Sequence, residues 1–268
     1  MSTALQSPAT LTLQSCPHPL VEEIYSTRTV PLPDGTSAPM NVYIPRDEGD
    51  YLYTLVRHLK PAVTLEVGMA NGLSTLFIAQ ALHDNGSGTH IAIDPFQSSE
   101  WRGAGLALIA KAGLQSLVQL REAYSHQALP ELERSGLRAQ FAFIDGAHLF
   151  DYAIADFLCI DRILDVGGLV AFDDSDWPAI RQAIRFVLAN RDYEVAFADV
   201  VIEARTPTPT LIARAVRAAA NAVPKLREKL RRDFLVPDED LGVRGRCVVL
   251  RKLGEEHRDS QSRCHQSF

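Results

Sequence analysis

The sequence predicts an α/β fold, a doubly wound, mostly parallel sheet of seven strands with helices on both faces. Two observations carry this reading. Five short apolar, β-branched runs, at 62–67, 89–94, 116–121, 140–145 and 167–172, alternate with segments of helical spacing, and a βαβα order of that kind implies right-handed crossovers and a parallel sheet. Each run also ends at a charged residue, Glu66, Asp94, Arg121, Asp145 and Asp173, at the carboxyl edge where open α/β sheets bind their ligands.

Bulk properties narrow the function classes. A chain of 268 residues with 46% hydrophobic composition suits one large domain. A net charge of −6 offers no general attraction to nucleic acid or to anionic membranes. Cys16, Cys159, Cys247 and Cys264 lie far apart without a C-x-x-C pair, which argues against structural zinc and a disulfide framework and for reduced thiols. The first residues lack a basic segment followed by an apolar one, and no apolar run approaches the ~18 residues that cross a bilayer. The expectation is a cytoplasmic protein acting on a small molecule, without nucleic-acid or membrane partners.

Residues 1–40, rich in Ser, Thr and Pro with a turn at "PDGT" (33–36), read as an irregular N-terminal arm. The main domain is read at 41–254. It opens on a helix at "DYLYTLVRHL" (50–59), closed by Pro61. The five strand runs follow, then a helix near 176–190, a sixth strand at "YEVAFADVVIE" (193–203) and a seventh at "RGRCVVLRKL" (244–253). Between the last two lies an insertion, 205–240, with helical spacing broken by Pro224 and a basic face that includes Arg214, Arg217, Lys225, Arg227, Lys229, Arg231 and Arg232. It reads as a helical lid or dimer helix, with docking of an acidic partner as the alternative; homo-oligomer formation through the arm or this insertion is left open. Residues 255–268 read as a disordered tail.

The turn after the first strand, "TLEVGMANGLST" (64–75), places Gly68 and Gly72 where small residues let the backbone approach a ligand at a helix N-terminus. A dinucleotide fingerprint needs glycine where Ala70 and Leu73 stand, which weakens a nicotinamide reading. Glu66, two residues before the first glycine, suits a cationic ligand group, and S-adenosylmethionine carries an ammonium and a sulfonium. Asp94 in "IAIDPF" sits where an acid accepts ribose hydroxyls.

With these motifs, residues 41–253 resemble the class I S-adenosylmethionine-dependent methyltransferases, a Rossmann-like fold. The "LEVGMANGLST" form is similar to the metal-dependent subgroup that includes catechol and macrolide-sugar O-methyltransferases. The resemblance implies that Glu66 and Ser74 hold the methionine end, that Gly68, Ala70 and Gly72 make room for it, that Asp94 binds ribose, and that Ser125 in "REAYSHQALPEL" lies beside adenine. Asp145 is counted with this cofactor set and with the metal set below.

The second constellation is acidic. Asp145 and His148 stand in "FAFIDGAHLF" (141–150), and Asp173 and Asp174 follow 28 and 29 residues after Asp145 in "GGLVAFDDSD" (167–176). If the two strands are neighbours their ends lie about 5 Å apart, and carboxylates that close push one another toward protonation unless a cation joins them. Ligation by Asp145, Asp173 and Asp174 suits Mg²⁺, with Mn²⁺ and Ca²⁺ as alternatives. Asp173 and Asp174 can both ligate only if the strand has already turned. His148 occupies the position that the resemblance assigns to the catalytic base, as in the macrolide-sugar enzymes, whereas catechol enzymes carry lysine there and usually asparagine at the position of Asp174. Both departures point to a sugar-like or aliphatic diol as acceptor.

Asp151 and Asp156 are expected on the solvated side of the next helix, and Trp101 and Trp177 near the mouth of the site. The function that results is Mg²⁺-dependent O-methylation of a small molecule, such as a sugar of a glycosylated metabolite. Two alternatives stand beside it: a metal-independent methyltransferase with His148 alone as base, and a cofactor-binding module without turnover.

Overall fold

The computed structural model describes residues 11–197, 200, 202 and 238–255. Of the insertion read at 205–240 only 238–240 fall within that set, and of the tail at 255–268 only Glu255; the rest lie outside the described residues. The chain runs through α1 (Pro19–Thr27), a hairpin of β1 (Thr29–Pro31) and β2 (Ser37–Pro39), and α2 (Arg46–Leu59). The central unit follows as β3 (Val63–Val67), α3 (Leu73–Asn85), β4 (Thr89–Ile93), α4 (Ala104–Lys111), β5 (Val118–Arg121), α5 (Ser125–Arg134), β6 (Ala139–Ile144), α6 (Phe150–Ile163), β7 (Leu164–Phe172), α7 (Pro178–Asn190), β8 (Tyr193–Ala196) and β9 (Val248–Lys252).

The seven-stranded sheet has the order β5-β4-β3-β6-β7-β9-β8, parallel except for β9, which runs antiparallel to both neighbours. The chain winds outward from β3 to β5 and then returns to lay β6 on the other side of β3. The switch point, and with it the ligand crevice, therefore lies between β3 and β6.

Strand alternation divides the core in two. Phe141 and Phe143 of β6 and Leu169 and Ala171 of β7 face the layer of α1 to α4. Ala142, Ile144, Val170 and Phe172 face α5, α6 and α7. Continued past the strand ends, the same parity carries Asp145 and Asp173 toward the α2 side.

Two sequence expectations are corrected. The arm at 1–40 is not irregular over 19–40: α1 buries Leu20, Val21 and Ile24, and Val30, Leu32 and Met40 join the same core. The reason is short range, because a nine-residue helix shows only one apolar repeat among Ser, Thr and Pro, and its stability comes from packing rather than propensity. The "PDGT" turn closes the β1–β2 hairpin, with Asp34 Oδ1 accepting from the Thr36 N–H and hydroxyl. The sixth strand is shorter than 193–203, since β8 ends at Ala196 and Phe197 takes a left-handed φ of 55°. Among the described residues no helix is long and apolar enough to cross a membrane.

Since Ile24 is 2% exposed within this core, Ile24→Ala is expected to cost about 2–5 kcal/mol in urea unfolding. A change near zero would return the arm to the irregular class.

Candidate active site at the switch point of the sheet

The loop between β3 and α3 is shaped by its nearness to the end of β6. Gly68 has φ 95°, and a Cβ there would overlap the carbonyl oxygen of Asp145. Its N–H donates to the Ile93 carbonyl at 2.9 Å, and the Asp145 N–H donates to the Val67 carbonyl at 2.9 Å. Only glycine meets both the dihedral and the contact. Gly72, φ 79°, instead serves packing: a Cβ there would press on the backbone of Gly105 in α4.

One cavity, of about 510 Å³, opens over Gly68, Ala70, Asp94, Ser125 and Asp145. Aromatic walls come from Phe96, Trp101 and Tyr124, and His126 stacks on Tyr124 at 5.4 Å between centroids. Asp94 is tied to the loop: Oδ2 accepts from the N–H groups of Met69 (3.1 Å) and Ala70 (2.7 Å), and Oδ1 from that of Phe96 (2.8 Å). Asp156 also lines this cavity and is 4% exposed, which corrects its assignment to the solvated face of α6. Burial pushes its carboxyl above the ordinary range, against the opposing influence of Ser125 and His126.

A second cavity, of about 500 Å³, lies on the other side of the same wall and includes Tyr43, Asn71, Ser74, Asp173, Asp174 and Trp177. Val42, Ala70, Asp145 and His148 line both spaces. The wall between them is thus one loop residue from each side and the Asp145–His148 pair.

Glu66 falls elsewhere. It is fully buried behind the loop, accepts from Thr75 Oγ1 of α3 and lies 3.1 Å from His90 Nε2, and it lines neither cavity. Strand parity is the cause: Leu65 and Val67 face α5 and α6, so Glu66 faces α3. Its neighbour His90 is held from the other ring nitrogen by Thr64 Oγ1 at 2.8 Å. Neither Glu66 nor Gly72 lines either cavity, and both contact the elements that support the loop.

The acids meet as the neighbouring strands predict. β6 and β7 pair with Ile144 opposite Phe172, and the Asp173 N–H donates to the Ile144 carbonyl at 3.1 Å. Ligand atoms of Asp145, His148 and Asp173 all lie within 4.8 Å of one another. Asp174 has φ 46°, so the chain has turned immediately after Asp173 and both side chains reach the site. Its Oδ2 lies 3.3 Å from His148 Nε2, the same distance as Asp145 Oδ1. His148 in turn rests against Trp177, with centroids 5.2 Å apart.

Asp174 stands at the edge of this group, with Oδ2 toward His148 and Oδ1 accepting from Arg246 Nη2 at 2.9 Å. The same guanidinium lies 2.9 Å from Glu48 of α2 and 3.6 Å from Asp173. Burial first, then the charge of Asp173, pushes the carboxyls of Asp145 and Glu48 well above their ordinary range. Asp174 is raised by the same two causes, and there His148 and Arg246 oppose them.

A divalent cation fits these residues. Asp173 Oδ1 and His148 Nε2 are buried with no hydrogen-bond partner among the described residues, and the excess of carboxyls is relieved by positive charge. Two participants escaped sequence reading. Glu48 sits in "RDEGDY", where acids in a first helical turn read as favourable partners of the helix dipole. Arg246 stands among three other basic residues in "RGRCVVLRK" and carries no motif.

Comparison with known proteins places the fold. Residues 65–175 match the family described as "Methyltransferase domain". A caffeoyl-CoA O-methyltransferase of Stellaria longipes is 34% identical over 133 residues, covering 48% of this chain and 52% of that protein. The chain spans about half the length of the curated relatives it matches first, 55% and 52% of each. Among solved structures, an O-methyltransferase from Bacillus cereus in complex with S-adenosylhomocysteine aligns with a TM-score of 0.53 at 20% identity, covering 66% of this chain and 81% of that one. The O-methyltransferase TomG from Streptomyces achromogenes, in complex with S-adenosylmethionine, aligns with a TM-score of 0.51 at 22% identity, covering 58% and 74%.

Gly68→Ala combines a left-handed φ with overlap against the backbone of Asp145, so a loss of about 2–5 kcal/mol of folding stability is expected. S-adenosylhomocysteine affinity should fall with it in calorimetry. Full retention of both would show that the loop can move away from β6.

Proposed function

We propose that this chain, whose residues 65–175 match a family described as "Methyltransferase domain", is a class I enzyme that transfers the methyl group of S-adenosylmethionine to a hydroxyl of a small molecule, with a divalent cation at the acid cluster. The observation that carries the reading is the shared wall: Asp145 and His148 line both the aromatic-walled cavity and the acidic one. A methyl donor on one side and an acceptor oxygen on the other would meet there.

In this reading Gly68, Ala70, Asp94 and Ser125 shape the cofactor cavity, with Phe96, Trp101, Tyr124 and His126 around the base. Ser74, read from sequence with the methionine end of the cofactor, lines the acid-side cavity instead. Asp145, Asp173 and Asp174 are the carboxylates that would hold Mg²⁺, or Mn²⁺ or Ca²⁺ in its place. When bound, the cation supplies Lewis acidity toward the acceptor hydroxyl. His148 takes the hydroxyl proton at Nε2, and its ring is held by Trp177 while Asp145 and Asp174 stabilise the charge it gains. Fixing both reactants against one wall supplies the orientation that an in-line methyl transfer needs.

The acceptor class is read from the second cavity. Tyr43 and Trp177 offer flat apolar surfaces, while Asn41 and Asn71 add polar ones, which suits the mixed faces of a sugar-like diol. A second reading keeps the cofactor and dispenses with the metal, since His148 needs no cation to act as base. One observation favours it: Arg246 already compensates part of the acidic charge.

Calorimetric titration with S-adenosylhomocysteine, with and without Mg²⁺, tests the cofactor and metal claims together. Micromolar binding plus a Mg²⁺ heat that an Asp145→Ala, Asp173→Ala double variant loses is the expected result. No cofactor binding would sink the proposal; binding and turnover that persist in a chelator would select the metal-free reading. For His148→Ala, kcat with a diol acceptor should fall by about 10²–10⁴ with Mg²⁺ affinity retained. Loss of Mg²⁺ binding in that variant would make His148 a ligand instead of a base.

A further inference from the structure

Building on the metal-dependent reading above, we propose that Arg246 is a built-in counter-cation of the acid cluster, anchored by Glu48, which holds Asp174 in the metal-free protein and restrains how tightly a divalent cation binds. Its guanidinium lies 2.9 Å from Glu48 Oε2, 2.9 Å from Asp174 Oδ1 and 3.6 Å from Asp173 Oδ1, with 6% of the side chain exposed. The backbone fixes it there. The Arg246 carbonyl accepts from the Ser175 N–H at 2.7 Å, and the Ser175 hydroxyl bridges the Phe172 carbonyl (2.8 Å) and the Val248 N–H (3.1 Å). The turn that carries Asp173 and Asp174 is thus bonded to the segment that leads from Arg246 into β9.

Two consequences follow from charge alone. Without a metal, four carboxyls (Glu48, Asp145, Asp173 and Asp174) converge, and buried like charges need a cation nearby. With a metal, the guanidinium and the divalent ion are like charges sharing Asp173 and Asp174, so each weakens the hold of the other. Asp174 is the shared element: one oxygen faces Arg246 and the other His148. Glu48 does not line the acceptor cavity, so it acts through Arg246 and its neighbours as a positioning residue.

Opposite signs for the two partners separate this from simple structural damage, which would lower metal affinity in both. Mn²⁺ is titrated calorimetrically into the full chain at saturating S-adenosylhomocysteine, for wild type, Arg246→Gln, Arg246→Lys and Glu48→Gln, and thermal unfolding is followed with and without Mn²⁺. Arg246→Gln should bind Mn²⁺ tighter by on the order of tenfold, unfold at a lower temperature when metal-free, and gain more from Mn²⁺ than wild type. Arg246→Lys, which keeps the charge, should stay near wild type, and Glu48→Gln should bind Mn²⁺ more weakly. Unchanged or weaker binding in a folded Arg246→Gln overturns the counter-cation role while leaving the metal-dependent reading in place. If that variant does not fold, Glu48→Gln decides: affinity equal to or above wild type overturns the role. Absence of Mn²⁺ binding in all four proteins overturns this role and the metal-dependent reading together.

Discussion

Everything at the carboxyl edge of this sheet depends on one electrostatic constraint: carboxyls gathered from three elements lie within a few ångströms of one another, those of Glu48 and Asp173 buried and that of Asp145 partly so. Asp145 and Asp173 arrive by strand parity at the ends of β6 and β7, and Glu48 arrives from α2 packed on the same face. Desolvation and mutual repulsion both oppose their ionisation. A fold tolerates this only with positive charge in the same place, and the protein itself provides Arg246 beside Glu48, Asp173 and Asp174.

The same edge joins the two cavities. Because β3 and β6 are neighbours at the switch point, the loop glycine Gly68 sits directly against the backbone of Asp145. The glycine loop and the acid cluster are therefore in direct backbone contact. Asp94, bonded to the Met69 and Ala70 N–H groups, extends the contact to the end of β4. Beneath the loop, Thr64, His90, Glu66 and Thr75 form a buried polar chain from strand to helix. These contacts use Glu66 Oε2, while Oε1 is buried without a hydrogen-bond partner among the described residues.

The parts of the site legible in the sequence were those with local signals. Gly68 and the acids at 145, 173 and 174 could be read because strand ends and glycine turns are marked by neighbouring residues. Glu66 was legible as a strand-end acid, whereas its facing toward α3 depends on which helix covers which face of the sheet. Asp156 shows the same limit on a helix: its burial reflects its place in the wall of the aromatic-walled cavity near Ser125 of α5, which no spacing within α6 reveals.

What the sequence by itself determined is the alternation of strands and helices, and therefore the parallel sheet, its acidic edge and the pairing of β6 with β7 that brings Asp145 to Asp173. Periodicity and turn chemistry act over a few residues, and the handedness of crossovers then leaves little choice of topology. What only the tertiary structure decided is the company those acids keep. Glu48 is about a hundred residues before Asp145 in the chain and Arg246 about a hundred after it, and nothing local distinguishes them from solvated charges. Packing of α2 on one face and insertion of β9 beside β7 bring them together, because long-range contacts are set by which surfaces must be buried and not by the residues adjacent in sequence.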